Sequence, residues 1–219
     1  TDDEPEPEPE PTECHKGTLT SSVPGFSSNH GVHTEAELEA LADYTKFDIN
    51  VWIECPTCTN LDALHCLEEA KRLTIIGAET PSLTSIEGLR SLTTVNETLK
   101  IAHTEGLTSL RGLESLRTVH DFHLENNDGF TVINGVGETE VTGDLIVTSH
   151  LNLADASALA SFTHTGYFLL FRWNFDLPTC DAMDLVNGFR DAGYTGDICV
   201  LANLTDECPN DREDCGMWG

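Results

Sequence analysis

Histidines and carboxylates are the side chains of this sequence best suited to chemistry. Five histidines fall in the middle of the chain: His103, His120, His123, His150 and His164. No HxxxH or HExxH pair occurs among them, and zinc requires three or four convergent ligands. Stacked segments could bring His123 near a neighbouring side chain, but the spacing favours histidines without a metal. We therefore predict no metal site and no bound cofactor.

Catalysis is the next chemistry to consider, because the chain carries 38 aspartates and glutamates. So many carboxylates place some pairs close together by chance. We find no Ser/His/Asp arrangement, phosphate-binding loop or carboxylate pair above that background. The acidic segment 206–216 lacks the spacing of an EF-hand, so calcium binding is a minor alternative there. The sequence predicts a protein that is not an enzyme.

The cysteines indicate disulfide bonds and an oxidising compartment. The eight are Cys14, Cys55, Cys58, Cys66, Cys180, Cys199, Cys208 and Cys215. We expect the CPTC segment at 55–58 to form a disulfide, because no second CxxC is present to complete a zinc site. Proximity in the sequence makes a Cys180–Cys199 disulfide plausible. A small Cys208–Cys215 loop is predicted near the end.

Charge excludes two classes of partner. The net charge of −27 repels nucleic acid and anionic membrane surfaces. Residues 1–13 alternate Glu and Pro, which predicts a disordered, extended stalk. No stretch is long and apolar enough to span a membrane. Because the chain starts at Thr1, we expect a removed export signal and a secreted or cell-surface protein, tethered to the outer membrane by a lipid upstream of Thr1.

A repeat must position all these residues. Apolar-x-apolar triplets start at residues 51, 73, 99, 122, 145 and 168, and the last four starts are 23 residues apart. Between triplets the apolar residues recur every third position, as in GLTSLRGLESLRTV at 106–119, which fits neither a helix nor a half-buried strand. A fixed period of this length predicts a solenoid in which each coil is a short strand, a turn and a 3₁₀-like return segment.

Both ends of such a stack need caps. At the first end, Thr34 and Glu37 form a capping-box pattern ahead of Leu38 and Leu41. At the other, residues 178–194 read as an amphipathic helix, followed by a strand at 198–200. The chain is therefore predicted to be mainly β, with about six coils of about 23 residues and helical caps at both ends.

Several stretches resemble the receptor L-domain family, whose members also include surface proteins of bacteria. They are TEAELEALADYTKFDINVWI, LTSIEGLRSLTTVNETLKI, LTSLRGLESLRTV and the exit FDLPTCDAMDLV with GDICVLANLTDEC. The resemblance covers about residues 33–208 and implies a right-handed, leucine-rich-repeat-like β-solenoid that binds partners. The chain departs from ordinary leucine-rich repeats because only Asn126 stands where an asparagine ladder would be.

The resulting domain organisation has four parts. They are a disordered stalk (1–13), an N-terminal segment with a capping helix (14–50), the repeats with a C-terminal capping helix (51–190), and a Cys-rich strand and tail (191–219).

Function is expected on the outward face of the sheet. We take the first and third residues of each triplet as buried and the second and fourth as outward. The outward apolar residues are then Ile146, Leu169 and Phe171, with Trp173 close by and Ile76 in an earlier coil. An outward apolar patch predicts a surface that binds a protein partner, unless a terminal segment of the chain covers it.

Three other functions stay open. The chain could be a structural subunit of an extracellular complex or coat. It could bind or cleave carbohydrate, because β-solenoids can align carboxylates along a groove. It could also use its acidic surface to bind cations.

Overall fold

A parallel β-sheet dominates the computed structural model, which describes residues 14–77, 82–201 and 203–204. The strands among these residues are β1 (Lys16–Leu19), β2 (Asn29–Val32), β3 (Tyr44–Ile53), β4 (Glu69–Ile76), β5 (Thr94–Ala102), β6 (Thr118–Glu125), β7 (Glu140–Val141), β8 (Asp144–Thr148), β9 (Thr163–His164), β10 (Phe168–Arg172) and β11 (Asp197–Leu201). The helices are α1 (Glu35–Glu39) and α2 (Thr179–Asp191). The predicted stalk at 1–13 and the predicted Cys208–Cys215 loop lie outside the described residues.

Every strand pairs in parallel with a strand of the neighbouring repeat. The sheet is open and runs in the order β1-β3-β4-β5-β6-β8-β10-β11, with β2, β7 and β9 alongside. Its register follows the sequence repeat, since Val51 pairs with Leu73, Leu73 with Leu99, Leu99 with Phe122 and Phe122 with Leu145. The predicted mainly β class and this part of the predicted alignment are confirmed.

The period of three between strands is a row of core contacts. Leu107, Leu110, Leu113, Leu116 and Val119 are all buried. Short 3₁₀ helices occupy the equivalent return segments at Asp62–Leu64, Glu87–Leu89 and Ser157–Ser161. Three residues per turn is the geometry of a 3₁₀ helix, so the predicted return segments are confirmed in these repeats.

Glycines allow successive repeats to touch. A Cβ at Gly88 would lie 1.8 Å from the carbonyl oxygen of Leu61, and one at Gly112 would lie 2.2 Å from that of Ile86. Real Cβ atoms never approach a carbonyl so closely, so these positions admit only glycine. Backbone contact at this spacing holds each repeat directly on its neighbour.

Both predicted helices are present. The Thr34 hydroxyl accepts from the Glu37 backbone N–H, and the Glu37 carboxylate accepts from the Thr34 N–H, so the capping box is confirmed on the short helix α1. In α2, the buried residues include Met183, Leu185 and Val186, which pack the predicted apolar face on the core. This helix lies between β10 and β11 and covers the last repeat.

The last triplet is out of the predicted register. Leu169 pairs with Leu145 and Phe171 with Val147. Both Leu169 and Phe171 are 0% exposed, so their predicted outward orientation is wrong. Phe168 and Leu170 face outward instead, because a slip of one residue moves every side chain of a strand to the other face.

One extra residue causes this slip. Val141 pairs with His164, 23 positions further along, whereas Leu145 pairs with Leu169, 24 positions further along. The extra residue therefore lies in the turn between β9 and β10. Gly166 in that turn packs against the Gly143 backbone, where a Cβ would come within 1.8 Å of the carbonyl oxygen.

A buried polar row contradicts the expectation that an asparagine ladder is missing. It consists of Thr104, Asn127, His150, Asn174 and Asn203. Each amide side chain of this row donates to a carbonyl at the end of the preceding strand: Asn127 to Ile101, Asn174 to Val147 and Asn203 to Phe171, at 2.9–3.1 Å. We call these five residues the ladder. Asn126, the residue expected there, lies one position before it.

The ladder also joins consecutive repeats. Asn127 Oδ1 accepts from the backbone N–H of Thr104, Asn174 Oδ1 from that of His150, and Asn203 Oδ1 from that of Asn174. Buried backbone groups at the ends of the strands are thereby satisfied. His150 differs from the amides, because its Nε2 is buried and has no hydrogen-bond partner.

Disulfides staple the beginning of the chain. Cys14 is bonded to Cys66 and Cys55 to Cys58, so the predicted CPTC disulfide is confirmed. Cys199 is disulfide-bonded but not to Cys180; the pairing of these two was predicted from sequence proximity alone and is wrong. Disulfides of this kind are typical of an oxidising compartment. Among the described residues, no helix is long and apolar enough to cross a membrane.

Candidate functional site

A cleft of about 290 Å³ lies where β6, β8 and β10 end. Six residues line it: Asn126, Asp128, Ser149, Leu151, Trp173 and Phe175. These residues come from three consecutive repeats, and they occupy the same two positions in each. One column is Asn126, Ser149 and Trp173, and the other is Asp128, Leu151 and Phe175.

The ladder fixes the orientation of both columns. Asn127, His150 and Asn174 point into the core between the two columns. To turn the next residue inward, the backbone takes a left-handed conformation at the preceding position, with φ of 50° at Asn126, 63° at Ser149 and 55° at Trp173. His103 adopts the same conformation, with φ of 55°, one repeat earlier. The first column is therefore a direct product of the repeat geometry.

Hydrogen bonds hold the second column. The Asp128 carboxylate accepts from the Leu151 backbone N–H at 2.9 Å, and the Asn152 side chain donates to the Asp128 carbonyl at 2.7 Å. The Phe175 N–H donates to the His150 carbonyl at 3.1 Å. The walls of the cleft are thus tied to the neighbouring repeats.

Apolar side chains dominate the rim of the cleft towards the end of the chain. Leu151 is 52% exposed, Phe175 51% and Trp173 41%. The Arg172 guanidinium stacks on the Trp173 ring, 3.6 Å from its centroid. Large apolar side chains that stand together in water are a feature of binding surfaces.

Of the residues predicted to bind, only Trp173 lies in the cleft. Leu169 and Phe171 belong to the core, as described above. Ile146 is half-buried on the outward face of the sheet, beside Leu170 in the next strand. Ile76 is also half-buried, but it lies on β4, three strands from β8 along the sheet.

Sequence reasoning missed Leu151 and Phe175. Each stands four residues after the last core residue of its strand, Val147 and Phe171 respectively. The signal was available in the sequence as a second outward column just past the triplets. It was hidden because the search for exposed residues stopped at the strands.

Two of the five central histidines are core residues. Burial lowers the pKa of His150 to about 4, although the hydrogen bond with Asn174 acts in the opposite direction. Burial also lowers the pKa of His164, whose ring stacks on Tyr194 at 4.5 Å between centroids. Both rings are therefore neutral at pH 7, and neither faces the cleft.

A second group of polar side chains lies on the outward face of the sheet. Asp121, His123 and Asp144 place one ligand atom each within 4.8 Å of one another. Lys100 forms an ion pair with Glu125 next to this group. His123 thus lies near side chains of a neighbouring repeat, as the sequence suggested.

Comparison with known proteins adds no assignment to either place. No protein-family model matches the chain, and no curated protein or solved structure matches it.

Proposed function

We propose that this chain is an extracellular recognition module that binds a protein partner in the cleft and catalyses no reaction. The residues that bind are Leu151, Trp173 and Phe175, which supply apolar contact, and Asp128, which supplies charge. This proposal moves the binding surface from the outward face of the sheet, where the sequence put it, to the end of the strands.

The observation that carries the proposal is the conformation of Trp173. A left-handed backbone is unfavourable for a bulky residue and is adopted more readily by Asn, Asp and His. The earlier repeats have His103 and Asn126 at this position, whereas here an exposed tryptophan bears the cost. Strained residues cluster at functional sites, and Trp is among the residues that contribute most to binding at interfaces.

The dimensions and charge of the cleft favour a particular partner. About 290 Å³ is at the lower end of ligand pockets and suits one or two inserted side chains. The Asp128 carboxylate lies in the wall, and the whole chain has a net charge of −27. A segment with an apolar anchor next to Lys or Arg would complement both features.

For the fold, we infer a right-handed β-solenoid of the receptor L-domain type. Parallel pairing of each repeat with the next, the glycines at close approach and the ladder all support successive coils. For the location, we infer secretion or tethering at the cell surface, which the disulfides and the acidic composition support.

Selection of peptides tests the binding function. A phage-displayed random peptide library is panned on the immobilised full chain, with its disulfides intact. Selected peptides are then measured against the double variant Trp173→Asn/Phe175→Ser. We expect apolar peptides with Lys or Arg, and binding to the variant weaker by about 30-fold or more, as loss of interface hot spots produces.

Tyr167→Ser is the matched control. Tyr167 is the most exposed of the large apolar side chains, at 71%, and does not line the cleft. Its replacement should leave peptide binding unchanged. Equal binding of the selected peptides by wild type and the double variant would refute the proposed site.

Carbohydrate recognition is the second candidate. It is favoured by the aromatic rings of Trp173 and Phe175 standing opposite amide, carboxylate and hydroxyl groups of Asn126, Asp128 and Ser149. Aromatic faces with adjacent hydrogen-bonding groups suit a sugar ring. A glycan array probed with the same three proteins separates the two candidates, since glycan binding lost only in the double variant would assign the cleft to carbohydrate.

A further inference from the structure

The sheet itself brings together a group of metal-binding side chains that lies apart from the cleft. Phe122 pairs with Leu145, so Asp121 and Asp144, which precede them, lie side by side on β6 and β8. His123 follows Asp121 by two residues and therefore projects from the same face. We propose that Asp121, His123 and Asp144 form a Zn²⁺ site on the outward face of the sheet.

The distances suit a single ion. One ligand atom from each residue lies within 4.8 Å of the other two. Zinc bonds to nitrogen and oxygen are about 2.0–2.2 Å long, so two ligands of one ion lie no more than about 4.4 Å apart. Closing the remaining few tenths of an ångström requires only side-chain rotation.

The imidazole is prepared to act as a ligand. His123 Nε2 is shielded from solvent and has no hydrogen-bond partner, which is unusual for a buried ring nitrogen. Its Nδ1 faces Glu125 Oε1 at 3.7 Å. A carboxylate beside one ring nitrogen holds the proton there and leaves the other nitrogen free to bind metal. Burial lowers the pKa of His123, and the neutral ring is the form that binds.

The first carboxylate is also held in place. Asp121 Oδ2 accepts from the Thr98 hydroxyl at 3.1 Å, and its Oδ1 accepts from the Asp144 backbone N–H at 3.0 Å. Such outer contacts orient a ligand before the metal arrives. Like charges opposite each other on neighbouring strands repel. No Lys or Arg among the described residues pairs with Asp121 or Asp144, so a cation would relieve that repulsion.

The donor set selects the metal. Imidazole nitrogen favours zinc and other transition metals, whereas calcium and magnesium take oxygen ligands only. Three protein ligands leave the fourth tetrahedral position of zinc open to water or to a group from a partner. The other group of donors in the described chain, Cys14, His65 and Cys66, is different, because its two sulfurs are bonded to each other.

Calorimetric titration of the full, chelator-treated chain with Zn²⁺ tests the site, with Ca²⁺ and Mg²⁺ titrated in parallel. We expect one zinc bound per chain, in preference to both other ions. Binding should weaken by about 100-fold in Asp144→Asn and in His123→Gln, and by about tenfold in Glu125→Gln, which removes only a supporting carboxylate. His65→Gln should bind as wild type does.

Two further measurements keep the result clear. Co²⁺ in place of Zn²⁺ should give a spectrum without thiolate charge transfer, which excludes a site built from cysteines. Urea unfolding in the presence of chelator should show that the variants are folded. Absence of saturable zinc binding in wild type, unchanged affinity in both ligand variants, or tighter binding of Ca²⁺ would each overturn the proposal.

Discussion

The ladder and the two columns of the cleft differ in function although they alternate along the same short segments. Asn174 is fully buried and hydrogen-bonded to two neighbouring repeats, whereas Trp173 and Phe175 on either side of it are exposed. Inward residues thus hold the repeats together, and outward residues are free to change without affecting the core. The difference teaches that one segment after each strand combines a structural row with a binding row. Substitutions can separate the two roles.

The largest effect is expected from breaking the ladder at Asn174. Replacement by Ala leaves the Val147 carbonyl and the His150 N–H buried without partners. Each unpaired buried group costs 1–3 kcal/mol, so the free energy of unfolding should fall by about 4 kcal/mol. Urea denaturation measures this loss. Asn134→Ala, at an exposed amide, should change stability by less than about 0.5 kcal/mol, and an equal loss in both would remove the distinction.

A matched pair in β10 tests which residues face the core. Leu169 is buried and Leu170 half-buried on the outward face. Leu169→Ala should lower the free energy of unfolding by about 3 kcal/mol, because it leaves a cavity, and Leu170→Ala by less than about 1 kcal/mol. Urea denaturation of both variants measures the two losses. The opposite order would restore the register predicted from the sequence and place Leu169 back on the surface.

Acid sensitivity sharpens the comparison at the one ladder residue that titrates. Because the pKa of His150 is about 4 in the folded chain and near 6.5 when unfolded, the unfolded state binds the proton first as the pH falls. Stability from this group is therefore complete above about pH 6.5 and is lost between there and pH 4, by about 2 kcal/mol at pH 5.

His150→Asn isolates that contribution. An amide at this position could donate to the Leu124 carbonyl, as the other ladder amides donate to their strands, and it does not titrate. Urea unfolding at pH 7 and pH 5 should show a smaller loss in the variant than in wild type. If the two proteins lose the same stability, His150 does not titrate as its burial implies.

The smallest effect on stability is expected at Trp173. Trp173→Asn relieves the left-handed strain but loses the stacking of Arg172 on the ring. These changes oppose each other and are each of the order of 1 kcal/mol, so the free energy of unfolding should change by less than about 1 kcal/mol. Peptide binding, in contrast, should fall strongly. A large loss of stability would make Trp173 a structural residue and weaken the proposed function.

Much of the fold could be predicted because its causes are local. The triplets from Val51 to Leu145 align as their spacing indicates, and the period of three corresponds to the buried return segments. The capping box at Thr34 and the amphipathic helix α2 depend on patterns within one turn or one face. Such features need no knowledge of distant residues.

The errors arose where one residue decides a face. Phe168, Leu169 and Leu170 are all apolar, so hydrophobic pattern alone does not tell which of them is buried. The extra residue before β10 becomes visible only when His164 and Leu169 are compared with their partners on the preceding repeat. The ladder was missed for a similar reason, because Asn126 and Asn127 are adjacent and its other members vary between Thr, His and Asn.

The Cys14–Cys66 disulfide has a mechanical consequence. It encloses β1, β2, α1 and β3 in a covalent loop that closes just before β4. Tension applied to the chain ahead of Cys14 therefore passes through the sulfur bridge to Cys66 and bypasses the first three strands. Those strands stay shielded from the load for as long as the bridge is oxidised, and force reaches the hydrogen bonds of the sheet first at β4. A reducing environment would lengthen the load path by some fifty residues.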